Sequence, residues 1–336
     1  MPVEDVPAAL PFPPMEAELV RELPEGDGWQ YEPKWDGFRG VLENLDGELR
    51  LWSRNGRPLL RYFPELRPLG ERLPPGSALD GEIVIARDGA LDFDSMQTRL
   101  HPAESRIRKL SAEIPAEYVV FDLLLWAGEP VWKLPLAERR LRVERLDGFV
   151  VSPATRSAAE ARAWLGQFEA LGLDGVIAKR LDAVYAPGSR DAVVKVKEHR
   201  SADCVVIGLR HKGDPAQAAT LLLGLYRDDG GLDYVGSCAV AAGRRAEIAE
   251  RVLPLLEPKR EGRISEPNRW GGGELEEAWV RPEVVVEVRY DKVQGNRFRH
   301  GTRFLRWRDD KDAAACTWRE VRPPGAARGV EALFGR

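Results

Sequence analysis

Cysteine and histidine are scarce in this chain of 336 residues. The three cysteines, Cys204, Cys238 and Cys316, lie far apart and form no Cys-x-x-Cys pair, and there are only four histidines. Disulfide frameworks and structural zinc sites need closely spaced sets of these residues, so neither is expected. The scarcity also favours a reducing compartment.

Several familiar signatures are missing as well. The chain has no long apolar window, and its proline-rich first residues carry neither a basic start nor an apolar core of the kind seen in signal peptides. We therefore expect a cytoplasmic protein without a membrane partner. There is no P-loop, no His-Glu-x-x-His pair and no Gly-x-Ser-x-Gly elbow, so the common NTPase, metalloprotease and hydrolase classes lack support.

Positive charge is not abundant overall but is concentrated in one segment. The formal net charge is -4, and hydrophobic and charged residues make up 43% and 31% of the chain, as in soluble globular proteins. Between Arg289 and Lys311, however, eight basic side chains face three acidic ones. Such a segment can grip a phosphate backbone, although a charge run is more often a solvated face.

The length of the chain indicates two domains. In the first, Asp46-Gly47 and Asp88-Gly89 predict tight turns, and Leu79–Ile85 and Glu117–Leu125 predict strands. Residues 1–28 are predicted to be irregular, with at most one short helix near Met15–Glu22. Helices are predicted over Leu136–Leu146 and Ala158–Leu171, and strands over 175–178 and 192–197. The polar stretch 198–203 is the predicted boundary, and Gly271–Gly273 is a predicted loop.

The second domain is predicted to be a small barrel. Five short strands with one intervening helix suit an OB-fold, although they fit other small barrels too. The predicted strands are Cys204–Leu209, Thr220–Tyr226, Asp233–Val240, Val284–Tyr290 and Arg303–Trp307, with a helix at Arg244–Leu253.

One lysine stands in a setting that suggests a nucleophile. Lys34 lies between an apolar approach typical of a strand and a turn marked by Gly37 and Gly40. An amine attacks carbon or phosphorus only when unprotonated, so partial burial and nearby cations must assist it at neutral pH. A lone lysine is more often a solvated surface residue, so this prediction depends on the motifs that accompany Lys34.

Six further stretches follow the one from Tyr31 to Gly40. They are Ser53–Gly56, Leu79–Val84, Tyr118–Leu124, Gly172–Lys179, Val194–Lys197 and Arg303–Lys311. In this order they resemble the successive motifs of the covalent nucleotidyltransferases, specifically the ATP-dependent DNA ligases. The likeness is to the small bacterial accessory ligases and to the ligase module of bacterial end-joining proteins, and it covers most of the chain.

The resemblance implies an α+β fold and a covalent mechanism. Residues 1–199 would form an adenylation (nucleotidyltransferase) domain of antiparallel sheets with flanking helices, and residues 200–336 an OB-fold barrel. Lys34 would attack the α-phosphate of ATP and expel pyrophosphate, and the AMP would pass to the 5′-phosphate of a nick in duplex DNA. The adjacent 3′-hydroxyl would then displace AMP, as a step in DNA repair.

The resemblance also assigns residues to the nucleotide. Lys195 and Lys197 alternate on one strand and would converge on the α-phosphate, although a Lys-Val-Lys strand is ordinarily just amphipathic. Arg308 and Lys311 would orient the pyrophosphate once the barrel closes about a hinge at 198–203. Glu32 would contact the exocyclic amine of adenine, and Phe121 would stack on the base. Arg39 and Arg54 would hold the ribose and phosphates or the 5′-phosphate of the nick, and Lys179 and Arg190 would face the same pocket. Asp36 would either contact the nick or cap the turn.

Metal binding is implied for two acidic residues. Glu82 would contact the ribose, and Glu82 and Asp174 would help position Mg²⁺ or Mn²⁺, which favour oxygen ligands. Most relatives carry glutamate at the position of Asp174, and the shorter side chain favours a metal held through water. The turn-like residue Asp80 is better interpreted as a cap of backbone amides.

Two classes of alternative stay open at this point. One is another covalent nucleotidyltransferase, either an RNA ligase or a GTP-using capping enzyme. The other is an OB-fold nucleic-acid-binding protein whose transferase domain is inactive. The predicted partners are nicked double-stranded DNA and repair proteins, and the predicted state is a monomer.

Overall fold

The computed structural model describes residues 10–168, 170–197, 200–258, 264, 276–299, 301–321 and 329–334. The chain divides into two compact units, one comprising 1–198 with 324–336 and the other 199–323. Residues 329–334 therefore belong to the first unit, although the predicted second domain, 200–336, includes them. The reason is apolar burial, since Val330 and Phe334 pack into the core of the first unit.

The first unit contains eleven strands and four α-helices among its described residues. Its strands are β1 Glu18–Val20, β2 Trp29–Pro33, β3 Phe38–Leu45, β4 Glu48–Ser53, β5 Ser77–Val84, β6 Ala86–Arg87, β7 Ala90–Leu91, β8 Glu117–Leu125, β9 Val150–Val151, β10 Val176–Arg180 and β11 Val193–Val196. Its helices are α1 Phe93–Thr98, α2 Glu104–Glu113, α3 Leu136–Val143 and α4 Ala158–Phe168.

Two sheets form the framework of this unit. One has the order β4-β3-β5-β8-β9 and the other β1-β11-β10-β2. Most pairs are antiparallel, and the exceptions are β1 with β11 and β8 with β9. The apolar faces of the strands pack against the helices, and this burial supplies the main driving force for folding.

Local turn chemistry accounts for the β3–β4 hairpin. Leu45 pairs with Glu48, and the two intervening residues, Asp46 and Gly47, both have positive φ. Aspartate and glycine tolerate that conformation, which a two-residue hairpin turn requires. Asp88 and Gly89 have the same conformation between β6 and β7. Both predicted turns are confirmed.

Two local predictions are wrong, and two helices were not predicted. The segment predicted as a helix near Met15–Glu22 contains β1, because Leu19 and Val20 pair with β11 and sheet pairing overrides weak helix propensity. Gly40 lies inside β3 rather than in a turn. Helices α1 and α2 were not predicted: α1 is initiated by Asp92, whose side chain accepts a hydrogen bond from the Ser95 amide, and α2 buries little apolar surface.

The second unit is a closed barrel. Its described strands are β12 Arg200–His211, β13 Thr220–Tyr226, β14 Leu232–Ala239, β15 Glu276–Trp279, β16 Val285–Tyr290, β17 Val293–Gln294, β18 Arg297–Phe298 and β19 Thr302–Trp307, with helix α5 Arg245–Arg251. The main sheet has the order β13-β14-β19-β16-β12-β15, and β12 also pairs with β13, which closes it.

Strand β12 pairs with three other strands. On one side its first half pairs with β16 and its second half with β15, and its pairing with β13 shifts register between Val206 and Gly208. Residues 200–203 are therefore strand and not the predicted linker, while 198–199 and the predicted 271–273 loop lie outside the described residues. Within the described ranges, no helix has the length and apolar character needed to cross a bilayer.

Candidate active site

The first unit contains a cavity of 440 Å³ between its two sheets. Residues from β2, β5, β8, β10 and β11 contribute to its walls, together with Met15–Leu19. Nine predicted nucleotide-binding residues line it, namely Glu32, Lys34, Arg39, Arg54, Glu82, Phe121, Lys179, Arg190 and Lys195. Residues separated by more than 150 positions therefore meet in one concave site.

The backbone of Lys34 is held on both sides. Lys34 follows the last residue of β2, its amide donates to the Gly175 carbonyl at 2.8 Å, and its carbonyl accepts from the Asp174 amide at 2.9 Å. Gly175 has φ +123°, and a Cβ there would lie 2.1 Å from the Val196 carbonyl oxygen, so only glycine fits. This close approach fixes the backbone position of Lys34, from which its side chain extends.

One carboxylate binds two of the predicted catalytic lysines. Asp174 Oδ2 lies 2.6 Å from Lys34 Nζ and 2.9 Å from Lys197 Nζ. Burial acts to raise the pKa of Asp174, but the two ammonium groups outweigh it and lower that pKa to about 2. Asp174 is therefore ionised at neutral pH. Lys197 reaches Lys34 through this shared carboxylate and does not line the cavity itself.

Of Lys195 and Lys197, Lys195 is the one that lines the cavity. Its neighbour on β11, Val196, is 4% exposed and points into the core, so Lys195 points the other way. Burial lowers the pKa of Lys195, and the positive charges of Lys34 and Lys197 lower it further. An anionic phosphate entering the cavity would relieve this repulsion.

The cavity wall also combines a carboxylate with an aromatic ring. Glu32 is 2% exposed and accepts hydrogen bonds from Gln30 Nε2 at 2.7 Å and from Lys179 Nζ at 2.9 Å. Phe121 is only partly buried, and Lys179 Nζ and Arg39 Cζ lie 4.7 and 5.0 Å from its ring centroid. Gln30 was not predicted, but its place two residues before Glu32 puts both on one strand face.

A buried polar network holds Arg39. Asp80 is fully buried, and Arg39 Nε donates to its Oδ1 at 2.9 Å while the Tyr185 hydroxyl donates to its Oδ2 at 2.6 Å. Tyr185 also accepts from the Met15 amide at 3.0 Å. The interpretation of Asp80 as a turn cap is therefore wrong, because the residue lies within β5 and balances the charge of Arg39. Tyr185 was not predicted, since only the fold brings it near Asp80.

Glu82 is a carboxylate of the cavity wall that lies next to Gly37. It accepts a hydrogen bond from the Gly37 amide at 3.2 Å. Burial raises its pKa to about 7, although Lys34 and Arg39 act to lower it. A Cβ on Gly37 would lie 2.0 Å from the Ile83 carbonyl oxygen, so glycine permits this contact.

Two arginines at the edge of the cavity share a carboxylate. Arg190 Nε donates to Glu16 Oε2 at 2.7 Å, and Arg54 Nη2 donates to Glu16 Oε1. Hydrogen bonds from Arg190 and Arg54 hold the pKa of Glu16 below its ordinary value. Glu16 was not predicted, because it lies in the proline-rich segment and outside the motif stretches. A carboxylate between two guanidinium groups resembles a phosphate in charge and geometry.

Arg308 and Lys311 lie in the second unit, just after β19. Arg308 Nη1 and Lys311 Nζ contact Asp203 Oδ2 at 2.7 and 2.9 Å, and Arg308 Nε also donates to Asp310 at 2.8 Å. Lys311 further contacts Glu320. The two side chains are thus brought together by Asp203, a residue that the sequence had placed in the linker.

Metal ligands are few in this site. Among the described residues, no group of three or more histidine, cysteine, aspartate or glutamate side chains could hold an ion. Mg²⁺ commonly uses one or two carboxylates together with substrate phosphates and water. Glu82 and Asp174 fit that requirement for a metal that arrives with a nucleotide.

Comparison with known proteins agrees with this geometry. The family model described as ATP dependent DNA ligase domain matches residues 14–197, and the model for the ATP dependent DNA ligase C terminal region matches residues 215–311. The chain belongs to the ATP-dependent DNA ligases. The predicted family, enzyme class and combination of an adenylation domain with an OB-fold are confirmed. As a member of this family, the ligase uses ATP and a divalent metal and acts on nicked DNA.

Curated relatives match the ligase along nearly its whole length. DNA ligase C2 of Mycolicibacterium smegmatis is 41% identical, with 97% of this chain and 98% of the relative covered. DNA ligase C of Mycobacterium tuberculosis is 40% identical, with coverages of 95% and 96%. A solved structure of mycobacterial DNA ligase D complexed with ATP and MES is 28% identical with a TM-score of 0.51, and covers 91% of this chain and 98% of that one.

Proposed function

We propose that this ligase seals nicks in duplex DNA by carrying AMP on Lys34. The observation that supports this proposal best is that Lys34 lines one cavity together with Glu32, Phe121 and Lys195. A nucleotide bound with its base near Phe121 places its phosphates among the lysines. Transfer through a lysine phosphoramidate divides a difficult phosphoryl exchange into easier displacements.

The first step requires Lys34 to leave Asp174. A triphosphate entering the cavity offers the ammonium groups of Lys34 and Lys197 an alternative anionic partner. After its ammonium group has lost a proton to solvent, Lys34 attacks the α-phosphate, and the bond from the α-phosphate to pyrophosphate breaks. Lys195 and Lys197 stabilise the negative charge that accumulates on the α-phosphate oxygens. Asp174 and Glu82 would hold Mg²⁺, which supplies further positive charge at the phosphates when it is bound. By the family resemblance, Arg308 and Lys311 orient the departing pyrophosphate.

Selection of ATP over GTP is proposed to depend on Glu32. Its carboxylate oxygens accept hydrogen bonds, so they favour the exocyclic amine of adenine and disfavour the carbonyl that guanine carries at the same position. Lys179 fixes the orientation of Glu32 at 2.9 Å. The Phe121 ring then provides a face on which the base stacks.

The later steps need the 5′-phosphate of the nick. We propose that Arg54 and Arg190 bind it, because guanidinium groups suit bidentate contact with phosphate and both lie at the edge of the cavity. The 3′-hydroxyl then displaces AMP and closes the strand. We propose that the ligase acts as a monomer in DNA repair and uses Mg²⁺. It acts either alone or with repair-protein partners.

Radiolabelled nucleotide tests the proposal. The ligase is incubated with ATP or GTP labelled at the α-phosphate, and protein-bound label that survives denaturation but is released by acid is measured. Lys34→Ala should abolish the label, whereas Lys109→Ala, which removes an exposed lysine of α2, should leave it unchanged. Labelling of Lys34→Ala at the wild-type level would refute the assignment. A sealing assay on nicked DNA, RNA and mixed duplexes then defines the substrate.

A further inference from the structure

Residues 329–334 follow the barrel in sequence but belong to the adenylation unit. Residues Val330–Phe334 form a short 3₁₀ turn in which Val330 is fully buried and Phe334 is 7% exposed. Both pack into the apolar cluster that includes Tyr31, Trp35 and Val176. Burial of this kind anchors the segment in the core that supports the β2 and β10 strands.

The segment contacts the residue next to the nucleophile. The Phe334 ring stacks on Trp35, with 5.9 Å between ring centroids and 26° between ring planes. Trp35 is 5% exposed, and its Nε1 donates to Ser152 Oγ at 2.9 Å. The indole directly after Lys34 is therefore fixed by a ring on one side and a hydrogen bond at its edge.

A second set of contacts leads to Asp174. The Val330 amide donates to the Gly89 carbonyl at 2.8 Å, which ties the segment to the turn between β6 and β7. On β7, the Leu91 amide donates to the Leu171 carbonyl at 2.9 Å. A Cβ on Gly172 would lie 2.7 Å from the Leu91 carbonyl oxygen, so the chain passes very close to β7 just before it reaches Asp174.

We propose that residues 329–334 position the Lys34–Asp174 pair, with Phe334 as the key positioning residue. The segment packs on Trp35, the residue next to Lys34. It is also hydrogen-bonded to the turn before β7, and β7 contacts Leu171 and Gly172, which lead to Asp174. It touches no reacting atom, so its effect is to align Lys34 for attack on ATP. This inference rests on the proposed role of Lys34 as the adenylated residue.

The proposal changes how a truncation is interpreted. Removal of everything after Arg200 deletes Arg308 and Lys311, but it also deletes residues 329–334. A slow adenylation step in that fragment therefore does not isolate the role of the barrel. Point variants in the full chain separate the two contributions.

The experiment compares Phe334→Leu with Phe63→Leu. Both variants replace a buried phenylalanine ring of the same unit by a smaller apolar side chain, and Phe63 belongs to a different core cluster from Phe334. Two rates are measured, namely self-adenylation at saturating ATP and sealing of a nick that is already adenylated, in which Lys34 forms no bond. Thermal melting reports whether each variant is folded.

Phe334→Leu should slow self-adenylation by about tenfold and change sealing of the adenylated nick by less than about twofold, since small misplacements of a reacting group are costly. Phe63→Leu should not lower one of the two rates more than the other. Phe334→Tyr keeps the ring and should restore the rate of self-adenylation. An adenylation rate of Phe334→Leu equal to the wild-type rate, or an equal loss in both steps, would overturn the proposal. Lys34→Ala is run in parallel: if it still takes up label, the proposed function itself has failed, and if it does not, the outcome concerns Phe334 alone.

Discussion

Glu82→Gln is the substitution whose consequences for stability follow most directly from the site. An ordinary glutamate has a pKa of 4.5, and burial in the folded protein raises that of Glu82 to about 7. Between these values the folded protein keeps a proton that the unfolded chain has lost. The stability associated with this group is therefore fully present below pH 4.5 and is lost as the pH rises through about 7.

The size of this effect can be estimated. A difference of about 2.5 in pKa, at ~1.4 kcal/mol for each pKa unit, corresponds to at most about 3 kcal/mol of unfolding free energy. Glutamine has the same shape, can still accept the Gly37 hydrogen bond and never ionises. Glu82→Gln should therefore match the wild-type stability at pH 4.5 and exceed it by up to about 3 kcal/mol at pH 8. The same variant should lose adenylation activity, because the carboxylate proposed to bind ribose and metal is gone.

The assay must report on the adenylation unit alone, since a two-unit chain does not unfold in one step. Urea unfolding followed by pulse-labelling hydrogen exchange of peptides from β5 and β8 meets this need. Wild-type ligase and Glu82→Gln are compared at pH 5 and pH 8. A difference between the two proteins that is the same at both pH values would refute the assignment of a neutral-range pKa to Glu82.

Three further predictions follow from individual contacts. Glu16→Gln should release Arg54 and Arg190, so that binding of a 5′-phosphorylated nick tightens and depends more steeply on salt. The free energy of unfolding should change by less than about 0.5 kcal/mol because the ion pairs are exposed. Weaker binding of the nick would contradict this prediction. Asp174→Glu should keep adenylation and lower the Mg²⁺ concentration needed for half-maximal rate, whereas a higher requirement would argue against a metal-holding role. Gly37→Ala brings a Cβ to 2.0 Å from a backbone carbonyl oxygen and should destabilise the first unit by about 2–3 kcal/mol in urea unfolding; an unchanged midpoint would contradict the close contact.

Structural features that depend on short stretches of sequence were predictable. The positive φ values at Asp46 and Gly47 follow from the residue types that a hairpin turn accepts. Strand β8 follows from a continuous apolar run, and the barrel strands follow from spacing and turn signals. The nine cavity residues were selected through the family resemblance, and all but Arg190 lie in its motif stretches.

Features created by distant partners were not predictable. β1 exists because β11 lies beside it, and nothing local to Leu19 indicates a strand. The pairing of Arg54 and Arg190 with Glu16, and of Arg39 with Asp80 and Tyr185, depends on contacts across many residues. The return of residues 329–334 to the first unit is of the same kind, because a short apolar turn reveals burial but not the location of its partner.

The most direct test of the central claim is peptide mass spectrometry of ligase that has been incubated with ATP and Mg²⁺ and then denatured. The peptide that contains Lys34 should gain the mass of one adenylate, and the gain should disappear after mild acid treatment or on addition of pyrophosphate before denaturation. An adenylate found on any other lysine, or its absence from Lys34 while nicks are still sealed, would contradict the account.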